Sequence, residues 1–459
     1  MSGFCAMTSL VRKPRHAPEV SIIIAAMSMA VAFPKIAQAT AGNRAIGIIT
    51  PYKDARPGRI AVTPDGAKAY VVNALSDSVA VVNTGTGAEV KSISLPDGGI
   101  PTNLAISPDG SKVYVLNLVS SSISVIDTKT DALAKQSTVS GYSGVNPYGI
   151  AFDPNSKAHL AYVTNNDPDD ASVSVIDTTT DSQIKTVSGY STSQEAHGVA
   201  FSPDGKTAYV TTKDSAVAID VASSAQMQPI SNYHASVPLN IAFTRDGKKA
   251  YITNQGEDTV SVVDVQKNSE EGKVKKFTGH APAVVSVSPD GSIAYVTSYS
   301  SNTVSVIDVK TDTQITTVAH FDGLGPNGVA FRQDADPSKA GDFAYVANNT
   351  TNDVSIIRVR PAAANVSIIC PSVGSMYGGT KVAITGANLT DTTTVLFGGV
   401  PGTNLHFVSD TKLEVTTPRQ QDFQTGPVDV VVQNLGGNGE AKNGFTYITA
   451  RDTAANDCQ

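Results

Sequence analysis

The chain has no tryptophan, three cysteines in 459 residues, and only 16% charged and 6% aromatic side chains. Such a composition, rich in glycine, serine and threonine, fits a strand-built protein and excludes a helical one. No basic run occurs in the body of the chain and the formal net charge is −7. Nucleic acid is therefore not an expected partner, because phosphate binding needs clustered cations. Gly-x-Ser-x-Gly, His-Glu-x-x-His, Cys-x-x-Cys-His and a phosphate-cradling glycine loop ahead of a helix are all missing. The GGNG at 436–439 reads as a hairpin turn, since no helix follows it. The apolar run VSIIIAAMSMAVAF (20–33) is too short and wrongly flanked to span a membrane.

That run has another reading. Arg12, Lys13 and Arg15 precede it, and Ala37-Gln38-Ala39 supplies small residues where a signal peptidase cleaves. Residues 1–39 are expected to be an export signal, and no transmembrane segment is expected in the mature chain. No cysteine stands at the cleavage point, so a lipid anchor is not indicated. Cleavage removes four positive charges and one negative, taking the net charge from −7 to −10. It also removes Cys5 and leaves Cys370 and Cys458, which in an oxidising compartment can form one disulfide tying the polar tail (450–459) back.

What fills the chain is a repeat. A turn of the type Ser-Pro-Asp-Gly sits between two strands, and a further strand ends near Ile-Asp-Thr. The turn aspartate recurs at Asp65, Asp109, Asp204, Asp246 and Asp290, with Asn155 and Asp334 in the same slot, at separations of 44, 46, 49, 42, 44 and 44. Seven all-strand copies of this length predict a seven-bladed β-propeller. In FSPDG (201–205) Pro203 presets the first central position of a type I turn, and Gly205 supplies the left-handed one. Asp127, Asp177 and Asp308 precede Thr-x-Thr or a similar run and are expected to close Asx turns; as one residue per blade they lack the clustering calcium needs. After VSIIRVR (354–360) no fourth strand follows, whereas AIGIIT (45–50) is an unpaired apolar run. The N-terminal strand is thus expected to complete the last blade and remove both free edges.

The strings AYVTN (161–165), AYVTT (208–212), AYITN (250–254) and AYVAN (344–348), each with its turn and flanking strands, resemble the YVTN family of β-propeller repeats over 45–360. Blade 4 departs by its AYVTT, and blade 7 by an insertion within 331–346. After a linker at 361–366, the segment 367–449 is similar to the IPT/TIG domain, an immunoglobulin-like β-sandwich. PSVGSMYGGTKVAITGANL, TTVLFGG, TKLEVTTP and GPVDVVVQNLGG carry that likeness. The fold class expected is all-β, a propeller followed by a sandwich. The resemblances imply a secreted, periplasmic or cell-surface protein that binds or scaffolds, with a protein, peptide or small molecule as partner. Some related propellers are lactonases and lyases, so a hydrolase or lyase working at the channel mouth is the alternative.

Aligning the inner strands on Ile60, Leu104, Ile150, Val199, Ile241, Val285 and Val329 places proline three positions earlier in six of the seven. The polar residues one or two positions earlier, Arg59, Asn103, Tyr148, His197, Asn240 and Asn327, are the expected lining of the mouth and its ligand-binding set. His197, His234, His280 and His320 fall in successive loops on one face, with Glu195 and Asp322 beside them. No cofactor is expected unless these histidines converge on zinc or copper; none of them shows ligand spacing of the His-x-His kind.

Overall fold

Each repeat folds as a four-stranded antiparallel sheet. Blade 1 runs Pro57–Val62, Lys68–Asn73, Ser78–Asn83 and Ala88–Ser94 from the centre outward. Blades 2 to 6 repeat the pattern, with inner strands Pro101–Ile106, Pro147–Phe152, Ala196–Phe201, Pro238–Phe243 and Pro282–Val287. Blade 7 takes Pro326–Phe331, Phe343–Asn348 and Asp353–Arg358 from the end of the repeat array and its outer strand, Arg44–Ile49, from the beginning. The ring closes as expected from sequence, and Ala45 N also donates to Ala319 O in blade 6 at 2.9 Å.

The computed structural model describes residues 43–449 except 50–54, 97–98, 156–158, 168, 170, 191–194, 333–342, 360–363, 388, 390–391, 410, 421–423 and 435–436. The expected export signal, Cys458, the polar tail and the blade 7 turn at Asp334 lie outside the described residues.

Strands such as LAYVTN (Leu160–Asn165) are buried on both faces, so a lone sheet could not shelter them; neighbouring blades must. The apolar clusters accordingly lie between blades. Tyr114, Leu116, Ile123 and Val125 of blade 2 pack on Ile150, Ala161, Val163 and Ile176 of blade 3, and every other junction has its counterpart. Outer strands such as SQIKTV (Ser182–Val187) are largely exposed.

Polar contacts join the blades at both ends. One tyrosine per blade, the Tyr of AYVTN, is sealed between sheets and sends its hydroxyl to the next blade. Tyr70 donates to Asp131 at 2.5 Å, Tyr114 to Asp181, Tyr162 to Ser224 at 3.3 Å, Tyr209 to Asn268 at 2.8 Å and Tyr251 to Asp312 at 2.5 Å. Tyr295 donates to Asn43 at 2.5 Å, at the foot of the closing strand. All six acceptor residues have positive φ, which Asn and Asp tolerate best. In blade 1 Gly87 is the positive-φ residue of the same loop and has no side chain to offer; Tyr345 uses the Thr84 carbonyl instead, at 3.1 Å. Lys68, Lys112 and Lys249 pair with Asp131, Asp181 and Asp312 at 2.7, 2.8 and 2.6 Å. At the other end, the residue before the inner-strand proline also has positive φ in blades 1, 2, 3, 5, 6 and 7. In blades 1, 2, 6 and 7 its N–H is held from the previous blade by Asn352 (to Arg56, 2.9 Å), Asp77 (to Ile100, 3.0 Å), Asp258 (to Ala281, 2.6 Å) and Asn302 (to Gly325, 2.8 Å), and in blades 3 and 5 by Ser121 Oγ (3.3 Å) and the Lys213 carbonyl (2.9 Å).

The turn aspartates are structural. In the Ser-Pro-Asp-Gly turn Asp204 accepts from Ser202 Oγ at 2.7 Å and from Lys206 N at 3.1 Å, and Gly205 has φ +67. Asp127, Asp177 and Asp308 close Asx turns onto the N–H groups of Thr130, Thr179 and Thr311. The C-terminal unit is a sandwich. One sheet holds Asn365–Cys370, Lys381–Ala387, Lys412–Thr416 and Thr403–Ser409; the other holds Val373–Ser375, Gly437–Ile448, Gly426–Asn434, Thr392–Phe397 and Val400–Pro401. Its core is built from residues such as Val382, Leu413, Val430, Phe397, Phe445 and Tyr447. Ala364 already belongs to that core, so ordered structure starts ahead of position 367, inside the segment expected to be linker. Cys370 is disulfide-bonded; Cys458, its expected partner, is not among the described residues.

Candidate functional site at the channel mouth

Six of the seven inner strands begin on the prolines themselves, where no ladder donor is needed, and that of blade 4 begins on Ala196. Each then carries a bulge, as between Pro57 and Ile60 or Pro147 and Ile150. A bulge re-aims the residues it contains, and here these are the ones expected to line the centre. Arg59, Asn103, Tyr148 and Asn240 do line a central cavity of about 130 Å³, with Gly149, Gly198, Gly328 and Val284 completing the circle. A second cavity of about 240 Å³ opens at the proline end, walled by Gly58, Arg59, Ala74, Pro101, Thr102, Tyr148, Asn327 and Asn349. Arg59 and Tyr148 belong to both. Sequence reasoning missed Ala74, Thr102 and Asn349; Thr102 holds the repeat position of Tyr148 and was legible by alignment, while the others come from neighbouring loops.

Several of these polar groups tie adjacent inner strands together. Asn103 Nδ2 donates to Tyr148 O at 2.8 Å, and Asn240 Oδ1 accepts from Val285 N at 3.0 Å. Thr164 Oγ1 donates to His197 O, and Thr253 Oγ1 to Ala283 O at 3.1 Å. These contacts need the strands close together. A Cβ on Gly149 would lie 2.3 Å from His197 O, and one on Gly328 would lie 2.5 Å from Gly58 O.

His197 is not part of the lining, contrary to expectation. Its side chain is 5% exposed and packs behind Tyr148, with ring centroids 5.3 Å apart. Nδ1 meets the Pro238 carbonyl at 3.0 Å, so that nitrogen carries the proton, and Nε2 faces Glu195 at 3.5 Å. Burial lowers its pKa, against the opposing pull of the carbonyl and of Glu195. It is another strand-to-strand tie, from blade 4 to blade 5. The other histidines stand apart from it. His234 is exposed with its N–H on Glu270, His280 is exposed and paired with Asp258 at 2.9 Å, and His320 is exposed at φ +53. Asp322 is exposed as well. Among the described residues no three His, Cys, Asp or Glu side chains come together to hold a metal ion, so the histidine set of the sequence reading does not form one centre.

Arg59 is the group that distinguishes the mouth. Nη1 donates to Asn327 O and lies 3.5 Å from Asn327 Oδ1. Nη2 and Nε have no protein partner among the described residues, and no carboxylate lines either cavity. Burial disfavours its charge and lowers its pKa, yet an arginine stays protonated in proteins. Exposed apolar side chains stand in the loops of this end: Leu75, Ile100, Val119, Val145, Tyr299 and Leu324, each 38–65% exposed. A further cavity, of about 500 Å³, lies instead on the sandwich, between Lys381, Asn404, His406 and Glu414. It lies on the sheet surface with its opposite charges both present, and lacks the unbalanced charge of the mouth.

The model of the YNCE-like beta-propeller matches residues 23–359, and that of the IPT/TIG domain matches 364–447. The chain belongs to the YNCE-like beta-propeller family. The repeat and sandwich resemblances read from the sequence are both borne out. No curated protein matches the chain. Among solved structures, hydrazine synthase of Kuenenia stuttgartiensis is similar at 23% identity and a TM-score of 0.58, over 67% of this chain and 96% of that one. At that identity the likeness concerns the fold alone.

Proposed function

We propose that the protein is an exported recognition protein of the cell envelope or its exterior, which binds a small molecule or a peptide end at the mouth around Arg59 and Tyr148. The propeller and IPT/TIG units are consistent with a binding or scaffold role. One observation carries the finer reading: an unbalanced guanidinium at the junction of two cavities, in a concave, preformed and firmly tied ring. The sandwich serves as a second contact surface. A hydrolase or lyase reading drew on His197, and that residue is enclosed behind Tyr148 with both ring nitrogens engaged.

Two measurements test this. Fractionation of the producing cell, with mass spectrometry of the mature N-terminus, is expected to find the protein outside the cytoplasm, beginning near residue 40. Full-length cytoplasmic protein would contradict export. Ligand-observed NMR with a library of small molecules and short peptides is expected to find binders that Tyr148→Ala abolishes. Binders indifferent to that substitution would place recognition elsewhere.

A further inference from the structure

The unbalanced charge narrows the ligand class. An arginine that lines two cavities and uses only Nη1 toward the protein is complementary to a planar oxyanion, which it can hold through two parallel N–H···O bonds. The rest of the wall is neutral. Thr102, Asn327 and Asn349 are polar without charge, and Ala74, Pro101 and the Tyr148 ring are apolar. A volume of 240 Å³ has room for about eight waters at roughly 30 Å³ each, which suits a compact organic acid better than a large polyanion. A multiply charged phosphate would meet one cation here and an otherwise acidic protein of net charge −7.

We infer that the mouth binds a carboxylate on the free edge of Arg59, with the apolar part of the same molecule against Tyr148 and Pro101. This rests on the mouth being the recognition site. The carboxylate can come from a free organic acid or from the C-terminus of a peptide, and both present the same group.

Calorimetric titration of the whole protein with benzoate, its neutral isostere benzamide, and acetyl-Ala-Ala-Phe as free acid and as amide tests the inference. Benzoate is expected to bind at least about tenfold more tightly than benzamide, since hydrogen bonds to charged groups are worth that much or more, and to weaken with salt. Arg59→Gln is expected to remove that advantage. If Arg59→Gln does not fold, Asn349→Asp decides the matter, because it puts an anion into the wall with almost no change of shape and should also weaken benzoate about tenfold. A peptide acid binding better than its amide identifies a chain terminus as the source; benzoate alone binding identifies a free acid. Equal binding of benzoate and benzamide would overturn the carboxylate inference while leaving the mouth as a recognition site. Unchanged benzoate affinity in Asn349→Asp, or no binding of any acid, would overturn it too.

Discussion

A tyrosine hydroxyl sealed between two sheets must find an acceptor, and the repeat provides one on the next blade at each junction. The partners differ in charge, so their removal should differ in cost. Tyr114→Phe abandons the carboxylate of Asp181 and is expected to lower stability by about 1.5–3 kcal/mol, whereas Tyr345→Phe abandons the carbonyl of Thr84 and is expected to cost about 0.5–1.5 kcal/mol. Denaturant unfolding of the two variants measures the difference, and equal losses would argue that packing alone holds the ring. The same tyrosines set an alkaline limit. Burial is the main cause raising their pKa values, to about 12 for Tyr209 and Tyr345, with carboxylate partners adding to the rise for Tyr70, Tyr114 and Tyr251. A folded pKa above the unfolded value near 10 gives stability that is complete below pH 10 and is lost as pH rises through the folded value. Because tryptophan is absent, absorbance at 295 nm reports tyrosinate alone. The seven sealed tyrosines are expected to ionise together with loss of the circular dichroism signal, well above pH 10; a folded protein in which all fifteen tyrosines ionise near 10 would contradict this. Strain gives a third expectation. Ile100 is β-branched at φ +52 and partly exposed, so Ile100→Asn should raise stability by about 0.5–1 kcal/mol. The tyrosines were legible as strand residues in the AYVTN strings, but their bonds to the next blade were not, because acceptors 59–67 residues away in five blades, and 252 and 261 away in the two at the ring closure, belong to no local pattern. His197 was misread for a related reason. It shares its repeat position with Tyr148, but the Pro238 carbonyl and Glu195 hold its ring in the wall while Tyr148 lines the cavity.

At the level of elements, the strands and their order were almost wholly legible. Turn spacing near 44 residues fixed the blades, and an unpaired apolar run before the first repeat, with a strand missing after the last, identified the closing strand. Its role can be tested. Deleting Arg44–Ile49 opens blade 7 and also removes the Ala45 to Ala319 bond and the support beneath Asn43, the acceptor of Tyr295. Thermal unfolding of the truncated protein is expected to shift down far more than the loss of one half-buried edge strand suggests; near-unchanged melting would mean that blade 7 stands without it. The bulges at the start of every inner strand were not legible, although the prolines marked their places. They decide which side chains reach the centre. The start of the sandwich was misjudged because Ala364 looks like linker in the sequence, and its burial depends on the packing of both sheets.

At the scale of the whole molecule, seven near-equivalent blades build a ring whose symmetry is broken at the mouth by its side chains. Blade 1 contributes Arg59 where blades 3, 4 and 7 have Gly149, Gly198 and Gly328. A recognition site on a repeat fold resides in such departures, and the rest of the repeat holds them in place. Among the described residues there is no helix long and apolar enough to cross a membrane. The most direct measurement is a crystallographic fragment map of the whole protein, soaked with small neutral, cationic and anionic molecules. Fragments are expected to gather in the cavity bounded by Arg59, Thr102, Tyr148 and Asn327, with anions most frequent among them. A map with that cavity empty and fragments on the outer strands or the sandwich would contradict recognition at the mouth.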